Sequence, residues 1–153
     1  EGIGDALLKA ANKGYYLFMH TNQSGITRGY YGMEDVYACN GRMLEMFNLP
    51  DDFFDEVCIA PEDRFVVDGL RKPSPKFELE MISRYELPPD QCWMVGDKWL
   101  DAETGLNAGM NVALVQTGKP MDDALCEQAK SNAVPIFPSL AECVDHMLDL
   151  IDE

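Results

Sequence analysis

Unbroken apolar runs alternating with segments of helical periodicity most limit what this chain can fold into. A run that stays apolar at successive positions, rather than at every second one, has both faces covered. That is the condition of a strand inside a parallel sheet flanked by helices. Such strands are expected at residues 15–20, 54–60, 92–95 and 111–115, with a short one in "AVPIF". Between them the spacing predicts helices at 3–12, 33–47, 75–85 and 100–108, then near 122–129 and 140–151. In 3–12, Ile3, Ala6, Leu7 and Ala10 recur at helical spacing, and Gly14 ends the segment. In 33–47, Met33, Val36, Tyr37, Asn40, Met43, Leu44 and Phe47 share one side. Strands that alternate with helices in this way indicate an α/β fold with a doubly wound parallel sheet.

At 153 residues the chain is expected to form a single domain with a real core, in which residues 51–72 are a loop or small insertion. Its 27 acidic residues against 12 basic ones give a net charge of −15, which opposes non-specific binding to nucleic acid or to an anionic membrane. No apolar run reaches the length of a membrane span. The chain opens on Glu1-Gly2-Ile3-Gly4-Asp5, without a signal-peptide pattern or an initiator Met, so this start is expected to be processed or cut. Five cysteines (Cys39, Cys58, Cys92, Cys126, Cys143) are widely spaced and form no Cys-x-x-Cys, which suits buried thiols in a reducing compartment. A cytoplasmic location is the matching expectation.

In open α/β sheets ligands bind outside the carboxyl ends of the strands, so the polar residues that follow each strand carry the chemistry. Here they are Thr21-Asn22-Gln23-Ser24-Gly25, Arg71-Lys72-Pro73, Gly96-Asp97-Lys98-Trp99-Leu100-Asp101 and Gln116-Thr117-Gly118-Lys119-Pro120. A hydroxyl beside backbone N–H groups can hold phosphate oxygens, which suits Thr21 and Asn22. Lys72 offers a point charge and Arg71 a planar fork for a phosphoryl group. Asp97 and Asp101 are oxygen ligands of the kind Mg²⁺ takes together with waters. Each has an ordinary alternative: a turn former for Thr-Asn, a solvated side chain for Lys72, a helix N-terminal acid for Asp101. Their order along one predicted sheet edge favours a phosphate-plus-magnesium site.

The set Thr-Asn-Gln-Ser-Gly-Ile-x-Arg-Gly, Arg-Lys-Pro-x-Pro and Met-Val-Gly-Asp-Lys-x-x-Asp resembles the haloacid dehalogenase (HAD) superfamily. More narrowly it resembles the branch of heptose-bisphosphate and histidinol-phosphate phosphatases, with "ALVQTGKP" closer to the former and "FDEV" and "RKPSPKFELEMI" also similar to the latter. The resemblance implies a Rossmann-like, magnesium-dependent phosphomonoesterase acting on a small phosphorylated metabolite, such as a sugar bisphosphate. It implies that Thr21 hydrogen-bonds the transferring phosphoryl and that Lys72 neutralises its charge. Asp97 is then a magnesium ligand, Asp101 the second acid of that motif, and Arg71 a substrate contact. Lys98 is a further candidate for the phosphate.

Two features depart from the family pattern. The Asp-x-Asp that supplies the nucleophile and the general acid is absent from these residues, and the central strand that bears it is expected upstream. The chain is therefore expected to be a piece of a longer protein, inactive by itself. Zinc-containing members carry Cys-x-His and Cys-x-Cys before Arg-Lys-Pro. Here "CIAPEDRFVVDGLRKP" keeps only Cys58, so no zinc is expected, and this divergent loop is where substrate choice is expected to lie. The alternatives are a histidinol-phosphate phosphatase, a phosphate-binding module that has lost its nucleophile, and a structural fragment that needs a complementing piece. His20 is expected to pack, or else to approach the phosphate. His146 is expected to be structural or exposed, Trp99 to pack or line the site, and Lys119 to cap the last strand or reach the site mouth.

Overall fold

The computed structural model describes residues 2–117 and 120–151. Gly118 and Lys119 lie outside them, and with them the expectation for Lys119. The chain divides into two compact units, Glu1–Arg71 and Lys72–Glu153.

In the first unit, α1 (Ile3–Asn12) is followed by β1 (Phe18–Asn22), α2 (Met33–Met46) and β2 (Glu56–Ala60). β1 and β2 form a two-stranded parallel sheet with Phe18 opposite Glu56 and Asn22 opposite Ala60. β1 begins three residues later than expected and runs through Thr21 and Asn22. Its start is set by Asp55, whose carboxylate accepts the Leu17 N–H at 2.7 Å while its own N–H donates to Leu17 O. Pairing begins only beyond that bracket. α1 buries Ala6 and Ala10, and Gly4 lies so close to the end of α2 that a Cβ there would stand 2.1 Å from Phe47 O. On α2, Val36 and Leu44 are buried as expected. Tyr37, read from its spacing as facing the core, is 60% exposed, because the buried stripe is narrower than the periodicity suggests. Cys39 is exposed rather than buried.

In the second unit the order is α3 (Lys76–Arg84), a 3₁₀ turn (Pro89–Gln91), β3 (Trp93–Gly96), α4 (Trp99–Asn107), β4 (Asn111–Val115), α5 (Asp123–Ser131), β5 (Ile136–Phe137) and α6 (Leu140–Asp149). The strands form a parallel sheet in the order β3-β4-β5. β4 is central, and its Val112, Ala113, Leu114 and Val115 are all buried, the outcome for a run apolar at every position. A core of Ala102, Val112, Leu114, Ala129 and Val134 draws in Trp99, Met94 and Ile136. Asp122 caps α5 by accepting the Leu125 N–H at 2.8 Å, and Ser139 caps α6 through the Glu142 N–H. The parallel α/β architecture is as expected, in two sheets among the described residues, with β1 and β3 both edge strands.

Gly105 on α4 has no room for a side chain: a Cβ would lie 2.4 Å from Val112 Cγ1 and 2.6 Å from Met94 Cβ. Gly105→Ala is expected to destabilise by about 1–3 kcal/mol through overpacking, despite alanine's better helix propensity. Urea unfolding of the variant measures this, and a stabilised protein would show that α4 can move away from the sheet.

Cys143 is completely buried on α6, and burial pushes its thiol up to about 11 from the ordinary 9.0. A neutral thiol held in the fold while the unfolded chain ionises costs stability as pH rises. No loss is expected below about 9, and a progressive one between 9 and about 11. In thiol labelling at pH 8, exposed Cys39 is expected to react first and Cys143 only on unfolding. Rapid native-state labelling of Cys143 would contradict its burial.

Candidate active site

The expected site residues fall in both units, and each group has its own supports. In the first unit, Thr21 sits at the penultimate position of β1, in register with Ile59. Its Oγ1 accepts a hydrogen bond from Gln23 Nε2 at 3.0 Å. A hydroxyl that accepts in this way keeps its own proton to donate. The Gln23 amide is turned by Tyr31, whose hydroxyl donates to Gln23 Oε1 at 2.7 Å. Tyr31 can lie there because residue 25 is glycine. A Cβ at Gly25 would be 2.3 Å from Tyr31 Cε1 and 2.6 Å from its hydroxyl oxygen. The loop beyond Asn22 is wound into tight turns, Ile26 N–H to Gln23 O, Arg28 N–H to Ser24 O and Tyr30 N–H to Gly25 O. Gln23 lies in the segment that the sequence singles out, but its link to Tyr31 is not legible there, because the two lie eight residues apart in a loop, where no periodicity joins them.

The same loop is tied to the segment after β2. Arg28 Nε donates to Asp63 Oδ2 at 2.9 Å, and that hydrogen bond holds the Asp63 carboxyl below its ordinary range. Thr27 Oγ1 donates to Pro61 O. Residues 64–68 are exposed, with Phe65 and Val67 more than three-quarters open to solvent. His20 does not merely pack: its Nε2–H donates to Leu70 O at 2.8 Å, the residue before Arg71. Arg71 itself is half-buried.

In the second unit, Lys72 and Asp101 come together although 29 positions separate them. Lys72 Nζ donates to Asp101 Oδ1 at 2.6 Å, with side chains only 13% and 8% exposed. Asp101 is the third residue of α4, and its Oδ2 accepts the N–H of Lys98, the N-cap, at 3.1 Å. Both carboxylate oxygens are thus engaged. Gly96 makes this possible, since a Cβ there would stand 2.2 Å from Asp101 Oδ2. Asp97, in the turn between β3 and α4, is half-buried, and its carboxylate has no protein partner among the described residues. Lys98 is exposed, and Trp99 packs on the core of this unit. His146 sits at the surface on α6, its ring 5.1 Å from that of Phe137.

Removing Asp101 takes a carboxylate partner from a buried ammonium and the cap from α4. Asp101→Ala is expected to cost about 3 kcal/mol of stability, read from chemical denaturation, and Lys72→Met in the same background to recover part of it. A loss below 1 kcal/mol would mean that the Lys72 ammonium is satisfied without Asp101.

Comparison with known proteins gives a consistent result. The HAD-hydrolase-like family matches residues 69–143. The chain is 36% identical over 124 residues to D-glycero-beta-D-manno-heptose-1,7-bisphosphate 7-phosphatase of Helicobacter pylori, covering 76% of this chain and 69% of the relative. It is 31% identical over 159 residues to the D-glycero-D-manno-heptose-1,7-bisphosphate 7-phosphatase of Chlorobaculum tepidum, covering 95% and 73%. Its fold matches the crystal structure of D,D-heptose 1,7-bisphosphate phosphatase from B. bronchiseptica complexed with magnesium and phosphate, with a TM-score of 0.83 at 23% identity over 97% of this chain and 82% of that one. The chain belongs to the HAD superfamily of phosphatases, in the branch of the heptose-1,7-bisphosphate phosphatases.

Proposed function

We propose that this phosphatase is magnesium-dependent and hydrolyses a phosphate ester of a heptose 1,7-bisphosphate, with Lys72, Thr21 and Asp97 as its working residues. The observation that carries this is the buried Lys72–Asp101 pair, together with Asp97 in the turn before α4, whose carboxylate has no partner among the described residues. A lysine buried for packing alone is rare, and an ammonium held in a low-dielectric turn is suited to an anion. The substrate follows the named relatives, which act on heptose 1,7-bisphosphate.

Asp97 fits a magnesium ligand, because Mg²⁺ is commonly held by one or two carboxylates, with water and substrate phosphate completing its shell. Asp101 has both oxygens committed, so in this reading it orients Lys72 and does not serve as a second ligand. Bound magnesium would neutralise phosphoryl charge. Lys72 would place a fixed positive charge where the equatorial oxygens gather negative charge, and the Thr21 hydroxyl would donate its free proton to one of them. Arg71, Asn22 and Lys98 would contact substrate. Residues 1–153 contain no Asp-x-Asp, so the phosphoryl acceptor and the acid for the leaving oxygen come from outside them in this reading.

The test is hydrolysis of D-glycero-D-manno-heptose 1,7-bisphosphate by the intact protein, with magnesium and with a chelator. Turnover is expected to need the metal. Lys72→Ala and Asp97→Asn are expected to lower kcat by about 100-fold or more, with the far-UV spectrum unchanged. Hydrolysis of other small phosphate esters but not of this one would remove the substrate assignment. No turnover of any phosphate ester would remove the assigned chemistry.

A further inference from the structure

Leu70, the residue before Arg71, has both of its backbone polar groups held by side chains. Its N–H donates to Glu62 Oε1 at 3.1 Å, and its carbonyl accepts the Nε2–H of His20 at 2.8 Å. Three further observations show that this clamp is built. Gly69 lies against the Glu62 carboxylate, where a Cβ would come within 3.2 Å of Oε1 and 3.3 Å of Cδ. His20 is fixed at the centre of β1, in register with Cys58 of β2. Glu62 stands between two fastenings, Thr27 to Pro61 O and Arg28 to Asp63. The loop from Pro61 to Leu70 is therefore anchored at both ends, while its middle, with Phe65, Val66 and Val67, is open to solvent.

We propose that His20 is a positioning residue for Arg71, acting through the Leu70 carbonyl. A peptide group is planar, so fixing Leu70 O also fixes the N–H and Cα of Arg71, which belong to the same plane. An arginine at a loop end otherwise has free backbone dihedrals as well as a long side chain to order. Holding the plane removes part of that cost before an anion arrives. The carbonyl can only accept, so the imidazole must carry its proton on Nε2. A leucine or valine at position 20 would pack against β2 equally well but would leave this carbonyl without its donor. The inference rests on the proposed role of Arg71 as a contact to the phosphorylated substrate.

The experiment compares wild type, His20→Leu and His20→Gln in the intact protein, with heptose bisphosphate as substrate and inorganic phosphate as competing ligand. His20→Leu keeps the bulk and removes the donor, while His20→Gln keeps a donor on a flexible side chain. His20→Leu is expected to raise KM and the inhibition constant of phosphate by about 10-fold with little change in kcat, and His20→Gln to recover most of that loss. Long-range ¹H–¹⁵N spectra of the wild-type imidazole are expected to show protonated Nε2, which remains decisive if His20→Leu fails to fold. A neutral ring protonated at Nδ1 would overturn the proposal. So would wild-type kinetics in a folded His20→Leu, or a loss that His20→Gln does not recover. These outcomes differ from failure of the function itself, in which wild type would hydrolyse no phosphate ester.

Discussion

The buried ion pair between Lys72 and Asp101 is the interaction on which the second unit's candidate site depends. Taking two charges out of water is expensive, and the attraction between them repays it only when the remaining hydrogen-bonding capacity is also met. Asp101 meets that condition by working three ways at once. One oxygen faces Lys72, the other receives the Lys98 N–H, and the residue supplies the first turn of α4 with an acid. The side chain fits only because β3 ends in glycine. One carboxylate thus ties a loop lysine, a strand end and a helix start into a single object. Asp97, in the turn between strand end and helix start, has no side-chain hydrogen bond among the described residues.

The first unit reaches the same end by different means. Thr21 is oriented by neutral partners in series, Tyr31 to Gln23 to Thr21, in which each donor determines the direction of the next. The chain ends on an acceptor, so the threonine proton points away from the relay. Gly25 here parallels Gly96 in the other unit. Each glycine removes a Cβ so that a larger side chain can lie against the backbone at a strand end. Both glycines are needed for that close approach and not for an unusual backbone angle.

Much of this was legible in the sequence because the fold makes its strands continuous and its helices amphipathic. β4 was readable because the four residues after Asn111 are apolar in succession, as a central strand covered on both faces requires. β1 was misjudged at both ends because its limits are set by Asp55 and by pairing with a strand more than thirty residues away. Tyr37 shows the converse error, a large apolar residue at the right spacing that reaches solvent. Lys72 and the acids at 97 and 101 stood out by their order along one predicted sheet edge, since each alone has an ordinary structural alternative. What Asp101 does was not legible, since a motif gives a residue type and an order but not which oxygen is already occupied. The supports of Thr21 and Leu70 were invisible for the same reason.

The charge of the chain sets the last constraint. At −15 the protein repels a bisphosphate at long range, so attraction has to be local. Screening at physiological salt confines the repulsion to about 8 Å, about the reach of a lysine side chain. Within that distance, a cation fixed by a buried carboxylate is worth more than several mobile ones, because its position costs nothing further on binding. An acidic surface with a buried, carboxylate-held ammonium lacks the broad basic face that a polyanion needs, while a small phosphate ester needs only one such point. In the proposed reading, the acidic composition and the buried lysine are therefore two parts of one selectivity.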